Sequence, residues 1–184
     1  MDENVKGREI LIGVTGGIAA YKTAALVSRL SQAEARVTVV MTEAATRFVG
    51  TATFRALTGR PVAVSMWPET EQPLGPHIEL GRRAELMCVA PASANFLAKA
   101  ATGVADDLLS TLYLCFSGAI LVAPAMNTEM WNKPAVQRNV RRVAEDGARL
   151  IGPGSGWLSC REEGAGRMSE PDEIFAAIVE TLTG

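Results

Sequence analysis

The sequence is poor in several residue types on which whole classes of protein depend. Aromatic residues make up 5% of its 184 residues, it has one histidine, and its three cysteines show no paired spacing. These shortages exclude a metal site built from clustered histidines or cysteines and a disulfide framework, and they are typical of a reducing compartment. Its 18 Lys and Arg residues do not exceed its 20 Asp and Glu residues. That balance argues against nucleic-acid binding, which usually requires a basic surface.

Long hydrophobic runs are also missing. The longest run, near residues 119–126, is far shorter than the roughly 20 residues of a membrane span. Residues 1–4 are acidic and lack the apolar core of a secretory signal. What the chain does have is 48% hydrophobic residues and 17 glycines, which is sufficient for the core of one domain. We therefore predict a cytoplasmic single-domain protein, spanning 1–184, that binds neither membrane nor nucleic acid.

Short apolar runs alternate with helical patterns along the chain. Such alternation predicts a three-layer α/β fold with a parallel sheet covered on both faces. The predicted strands are 10–14, 37–41, 86–90, 119–123 and 150–151. The predicted helices are 18–30, 44–58, 94–101, 106–116, 134–146 and 171–182. The glycine-rich stretch 152–168 reads as a long structureless loop, and loops of that length are usually functional.

The first candidate binding site follows the first strand, at Thr15, Gly16, Gly17 and Ile18. Glycines at a strand-to-helix turn let a phosphate approach backbone N–H groups at the helix N-terminus. The motif is neither G-x-G-x-x-G nor a Walker loop, and Thr42 rather than an acidic residue follows the second strand. The pattern predicts either a site for a phosphate-bearing ligand or a simple tight turn.

Two further candidate sites follow the third and fourth predicted strands. Ser93 and Asn95 come after the third strand and Asn127 after the fourth, where ligands bind in open α/β sheets. Serine and asparagine at these positions can equally cap the next helix, so both interpretations stay open. Asn127 also precedes Met130, and one amide in an apolar wall can orient a carboxylate or a carbonyl.

His77 and Cys160 are the candidates for proton transfer. His77 is the only side chain whose unperturbed pKa lies near neutrality, although a lone histidine near the start of a helix is often structural or exposed. Cys88 and Cys115 lie in a predicted strand and helix, which indicates packing residues. Cys160 lies in the polar glycine-rich loop, where nearby arginines could support a thiolate. The alternative for Cys160 is an exposed, incidental cysteine.

Six segments stand in the order found in the flavin-dependent cysteine decarboxylases, and the sequence resembles that family over residues 9–182. They are TGGIAAYK, HIEL, APASANFLAK, GVADDLLSTL, PAMNTEMW and GWLSCREEGAGRM. The resemblance implies a Rossmann-like (flavodoxin-like) flavoprotein that binds FMN between the subunits of a homotrimer, often assembled further into a homododecamer. It is strongest to the branch that decarboxylates phosphopantothenoylcysteine to phosphopantetheine in coenzyme A biosynthesis.

The resemblance also implies roles for individual residues. His77 would be the base, Asn127 and Met130 would hold the carboxyl end of the substrate, and Cys160 would be the proton donor. In the implied reaction, flavin oxidises the cysteine moiety, CO₂ leaves to give an enethiol, and re-reduction follows. No metal is implied. The residues expected to contact FMN are Gly16, Gly17, Ile18, Thr42, Ser93, Ala94, Asn95, Phe96 and Ala125.

Other functions stay open beside this one. The nearest alternatives are decarboxylation of a C-terminal peptidyl cysteine and a non-catalytic FMN-binding regulatory subunit; the HIEL and late cysteine motifs argue against a flavin prenyltransferase. Two positions depart from the family pattern, because Arg161 stands where many relatives have glycine and Ala44 where they often have serine. We expect a flexible substrate flap at about 152–168. A synthetase, where there is one, is expected either on a separate polypeptide or outside this stretch of sequence. Candidate ligands for the substrate phosphate are Lys22, Arg82 and Arg161.

Overall fold

The central feature of the computed structural model is a parallel sheet. Within the residues that it describes (3–67, 75–159 and 161–184), this sheet has five strands in the order β2-β1-β3-β4-β5. The strands are β1 (Glu9–Val14), β2 (Arg36–Met41), β3 (Leu86–Ala92), β4 (Ala119–Pro124) and β5 (Arg149–Leu150). This is the flavodoxin-like order, which reverses direction between β1 and β3. The predicted fold class is confirmed.

Helices cover both faces of the sheet. They are α1 (Ala20–Gln32), α2 (Glu43–Thr46), α3 (Thr51–Thr58), α4 (Pro76–Arg83), α5 (Ala94–Thr102), α6 (Leu108–Cys115), α7 (Thr128–Asn132), α8 (Pro134–Glu145) and α9 (Pro171–Thr183). Apolar residues of α1, α3 and α9 form one core with the sheet, and those of α5, α6 and α8 form the other. A short 3₁₀ turn (Glu3–Val5) precedes β1.

Strand β3 lies at the centre of the sheet and is buried at every position. Its side chains alternate between the two cores, with Leu86 and Cys88 on one side and Met87 and Val89 on the other. This is why its sequence is a continuous apolar run rather than an alternating one. Burial raises the pKa of the Cys88 thiol to about 12, which agrees with a packing role.

Three local expectations are wrong. Residues 44–58 form two helices, α2 and α3, because Gly50 caps a new helix. Within the stretch 152–168, which was expected to be a structureless loop, two strands pair as an antiparallel hairpin, β6 (Gly154–Trp157) and β7 (Glu163–Arg167). Cys115 is exposed at the end of α6 and is not a core residue. The flexibility of the hairpin stays a prediction.

Membrane-spanning helices and clustered metal sites are both absent from the described residues. None of their helices combines the length and apolar character that crossing a bilayer requires. The same residues contain no group of three or more His, Cys, Asp or Glu side chains placed to hold a metal ion.

Candidate active site

The carboxyl ends of β1, β3 and β4 meet at one edge of the sheet, and Thr15 joins the first two. Its Oγ1 donates to the Pro91 carbonyl at 2.7 Å and accepts from the Ser93 N–H at 2.9 Å. These bonds use the hydroxyl as both donor and acceptor in a buried position. Thr15 therefore has a structural role: its hydrogen bonds hold the turn after β1 beside the start of α5. A cleft opens on each side of this junction.

The first cleft, here the Ser93 cleft, has a volume of about 450 Å³. It contains most of the residues predicted to contact FMN, together with Met130. Its lining residues are Thr15, Gly16, Thr42, Glu43, Ala44, Ser93, Ala94, Asn95, Phe96, Lys99, Asp107 and Met130. Met130 was predicted to hold substrate, and the structure places it here, in a different cleft from Asn127.

Hydroxyl groups at helix starts supply hydrogen-bond donors to the Ser93 cleft. Ser93 Oγ accepts from the Phe96 N–H at 3.3 Å, and Thr42 Oγ1 accepts from the Ala45 N–H at 3.2 Å. Both residues are thus helix caps; for Ser93 this is one of the two interpretations that the sequence left open. Each hydroxyl still has its own hydrogen to donate, and the first amides of a helix have no acceptor within it. These groups suit a polar or anionic ligand.

Glycine is required at Gly16 because the turn passes very close to α2. A Cβ atom at this position would lie 2.6 Å from the Cβ of Ala44, well inside contact distance. At Gly17, in contrast, a Cβ would meet nothing within 4 Å. The two glycines therefore differ: Gly16 permits close packing, whereas Gly17 faces open space next to the second cleft.

Lys99 is the lysine of the Ser93 cleft, and its charge is already balanced. Its Nζ lies 2.6 Å from Asp106 and 2.7 Å from Asp107. Burial disfavours the charged ammonium, but hydrogen bonds to the two carboxylates outweigh it and raise the pKa of Lys99. An anion bound here must therefore rely mainly on hydroxyl and amide groups.

The second cleft, here the Asn127 cleft, has a volume of about 440 Å³, and the β6–β7 hairpin supplies one of its walls. It brings together Gly17, Ile18, Ala125 and Asn127 from the predicted set. The full lining is Gly17, Ile18, Ala19, Tyr21, Lys22, Ala125, Met126, Asn127, Trp157, Leu158, Ser159, Gly166, Arg167 and Met168. The FMN-contact set predicted from the sequence is therefore divided between two neighbouring clefts.

The side-chain amide of Asn127 is oriented by the helix that follows it. Its Oδ1 accepts from the Met130 N–H at 2.8 Å and caps α7. Because the oxygen is engaged, the Nδ2 group is the end that can donate to a ligand. The neighbouring backbone is held by the hairpin, since the Met126 N–H donates to the Gly166 carbonyl at 2.9 Å. Capping and ligand binding thus require different atoms of one side chain.

An ion-pair cluster that the sequence did not predict lies along the Asn127 cleft. Glu170 Oε1 accepts from Lys22 Nζ at 2.9 Å and from Arg167 Nη2 at 2.6 Å. Lys22 also donates to the Met168 carbonyl at 3.3 Å. The hydrogen bond from Lys22 is the main cause that lowers the pKa of Glu170. Lys22 and Glu170 are 148 residues apart, so no local pattern could have indicated this pair.

Of the two proton-transfer candidates, the structure describes only His77. His77 is half-buried in the first turn of α4 and lines neither cleft. Its Nδ1 is buried with no hydrogen-bond partner among the described residues. Its carbonyl oxygen lies 3.7 Å from Cys115 Sγ, at the contact between α4 and α6. Cys160 lies outside the described residues, so its predicted role stays a prediction.

A flavodoxin-like sheet with ligand-sized clefts beyond its strand ends defines a ligand-binding α/β protein. The comparison with protein families makes this class specific. The chain matches the Flavoprotein family over residues 1–183 and belongs to that family.

Curated relatives include the coenzyme A biosynthesis bifunctional proteins CoaBC. The chain is 46% identical to the Haemophilus influenzae protein over 175 residues, which are 95% of this chain and 44% of that one. It is 44% identical to the Bacillus subtilis protein over 170 residues, 92% of this chain and 42% of that one. The chain thus spans less than half the length of these relatives.

Solved structures with the same fold include two decarboxylases. One is a PPC decarboxylase mutant complexed with pantothenoylaminoethenethiol, with a TM-score of 0.83, 31% identity, and coverage of 94% of this chain and 97% of that one. The other is the FMN-dependent cysteine decarboxylase SpaF, with a TM-score of 0.83, 33% identity and coverage of 97% of each chain.

Proposed function

We propose that this chain decarboxylates phosphopantothenoylcysteine to phosphopantetheine with FMN as cofactor, in coenzyme A biosynthesis. The observation that carries the proposal is the Asn127 side-chain amide, which capping of α7 orients and which lies in a cleft bounded by the hairpin. The chain that contains it is 46% identical to a CoaBC protein over 95% of its length. The PPC decarboxylase and FMN-dependent decarboxylase structures, both above 30% identity, support the same chemistry.

The residues of the Ser93 cleft fit FMN. The Thr42 and Ser93 hydroxyls and the first amides of α5 are suitable donors for polar and phosphate oxygens, and the close packing at Gly16 leaves the turn free of side chains. When bound, FMN supplies the two-electron acceptor and donor that protein side chains do not provide.

Asn127 holds the substrate carboxylate in this proposal. Its Nδ2 group donates to a carboxylate oxygen, and Ala125, Met126 and Trp157 make the surroundings largely apolar. A carboxylate in apolar surroundings is poorly solvated compared with water, and this favours its loss as uncharged CO₂. The rigid cap on Oδ1 keeps the amide in one orientation throughout.

His77 takes up a proton from the substrate in this proposal, and Cys160 returns one to the product. Because His77 lines neither cleft of its own chain, we propose that it serves the site of a neighbouring subunit in a homotrimer, which can assemble further into a homododecamer. We also propose a cytoplasmic location, since the cysteines fit a reducing compartment, and a synthetase activity as the partner that prepares the substrate.

The test is a direct assay of the FMN-loaded protein. Phosphopantothenoylcysteine labelled in its cysteine carboxyl group should release labelled CO₂ and yield phosphopantetheine. A peptide ending in cysteine should be decarboxylated much more slowly. Faster turnover of the peptide would instead assign the protein to peptide maturation. Bound yellow flavin without turnover of either substrate would favour a regulatory subunit.

A further inference from the structure

One side of the Asn127 cleft is cationic. Of the described residues that line it, Lys22 and Arg167 are basic and none is acidic. Glu170 contacts both cations from outside the lining set. One carboxylate against two cations leaves the cleft with a positive charge, which favours an anionic group on its ligand.

The two cations differ in their capacity to bind a ligand. The Lys22 side chain is only 10% exposed, and its ammonium already donates to Glu170 and to the Met168 carbonyl. The Arg167 side chain is 40% exposed, and Nη2 makes its one ion pair, with Glu170, among the described residues. A guanidinium has five N–H donors, so Arg167 retains several for a ligand.

The hairpin backbone is shaped around the Arg167 guanidinium. Gly156, in the neighbouring strand β6, has a φ of +150°. A Cβ atom at this position would lie 3.0 Å from Arg167 Nη1 and 3.5 Å from its Cδ. A methyl group at Gly156 would therefore crowd the guanidinium, which would have to shift slightly from its place on the hairpin backbone.

We infer that Arg167 binds the phosphate of the substrate and so selects phosphorylated substrates. This inference rests on the proposed function. The proposed substrate carries two anionic groups, and Asn127 accounts for the carboxylate. Phosphate is best matched by a planar guanidinium, which can donate two parallel hydrogen bonds. Glu170 and Lys22 act as positioning residues that hold the guanidinium at the cleft.

The experiment measures ligand preference in the FMN-loaded protein. Calorimetry gives the Kd of phosphopantetheine and of pantetheine, which differ only in the phosphate. The wild-type protein should bind phosphopantetheine at least about tenfold more tightly, as expected for charge-assisted hydrogen bonds. Arg167→Ala and Arg167→Gln should weaken phosphopantetheine binding about 10- to 100-fold and leave pantetheine binding within about twofold. Gly156→Ala should also weaken phosphopantetheine binding more than pantetheine binding. Arg138→Ala, which removes an exposed arginine of α8, should change neither Kd.

Two results would overturn the inference. One is an equal loss of affinity for both ligands, which would mean that Arg167 only supports the structure. The other is a wild-type protein with no preference for the phosphorylated ligand. Failure of the proposed function has a different signature, because the labelled-CO₂ assay would then be negative whatever the ligand preference. Arg167→Gln keeps a hydrogen-bonding side chain, and its melting temperature checks that the fold is intact.

Discussion

At the scale of single residues, helix caps in this protein leave functional atoms free. Ser93 and Thr42 accept amide hydrogen bonds through their oxygens and retain their hydroxyl hydrogens. Asn127 accepts through Oδ1 and retains Nδ2. Capping therefore orients the group that faces the cleft. Capping and ligand binding are therefore compatible at all three positions, although the sequence presents them as alternatives at Ser93 and Asn127.

Asn127→Asp separates these two roles. A carboxylate still caps α7, but it has no N–H to donate and it repels the substrate carboxylate. We expect kcat/KM for phosphopantothenoylcysteine to fall by about 100-fold or more, with flavin content and melting temperature unchanged. The matched control, Asn132→Asp, adds the same charge at the exposed end of α7 and should keep full activity. A fully active Asn127→Asp variant would remove Asn127 from the site.

How much of the site could be predicted depends on how each residue reaches it. Ser93 and Asn127 follow apolar strands directly, so their position in the chain indicates their place at the sheet edge. The Lys22–Glu170–Arg167 cluster was not predictable in this way. It depends on α1, β7 and the start of α9 meeting in space, and neither charge spacing nor periodicity records such a contact.

At the scale of elements, the hairpin was the main misjudged segment. Its strands contain several glycines and no alternation of apolar and polar residues, so they lack the usual strand pattern. The structure explains the glycines in β7. A Cβ at Gly166 would lie 2.3 Å from the Met126 carbonyl oxygen, and one at Gly164 would lie 2.3 Å from Thr128 Oγ1. These glycines let the hairpin backbone pack against the segment that carries Asn127.

Gly166→Ala tests whether this packing matters for activity. The added methyl group and the φ of +121° at Gly166 should displace β7 from Met126 and so disturb the Asn127 cleft. We expect kcat/KM to fall about tenfold or more, with FMN still bound because the Ser93 cleft does not include this residue. Gly154→Ala is the control in the same hairpin, since its Cβ would make only an ordinary 3.8 Å contact. Equal activity of the two variants would contradict the proposed role of the hairpin.

At the scale of the whole molecule, the amino edge of the sheet carries a charge cluster that stabilises the fold. Glu9, at the start of β1, accepts from Arg60 at 2.8 and 3.1 Å, and Arg36 and Arg83 lie 3.8 and 3.9 Å away. The hydrogen bond from Arg60 is the main cause that lowers the pKa of Glu9 below its usual 4.5. This cluster lies at the opposite end of β1 from the two clefts, so it can be altered without touching them.

Because the pKa of Glu9 is lowered in the folded state, its ionic contribution is present above pH 4.5 and is lost as the pH falls below that value. We expect Glu9→Gln to lower the free energy of unfolding by about 1 kcal/mol at pH 7, and the difference from wild type to shrink towards pH 3. Urea unfolding at both pH values measures this. Glu145→Gln, at an exposed position on α8, should have little effect at either. A difference for Glu9→Gln that does not change with pH would rule out an ionic origin.

The separation of His77 from both clefts leads to a prediction about the assembled protein. If His77 serves the Asn127 cleft of the next subunit, then His77→Asn and Asn127→Asp damage different parts of each shared site. In a mixed cyclic trimer, an Asn127 from one variant can meet a His77 from the other, and such a site is intact. Each mixed trimer has one such site among its three, so the purified mixed trimers should show about a third of wild-type activity, although each variant alone is inactive. To measure the restored activity, the two variants are co-expressed with different tags, purified over both tags and tested in the labelled-CO₂ assay. Light scattering of the same sample should report at least a trimer. Mixed oligomers that stay inactive would contradict a site in which His77 and Asn127 come from different subunits.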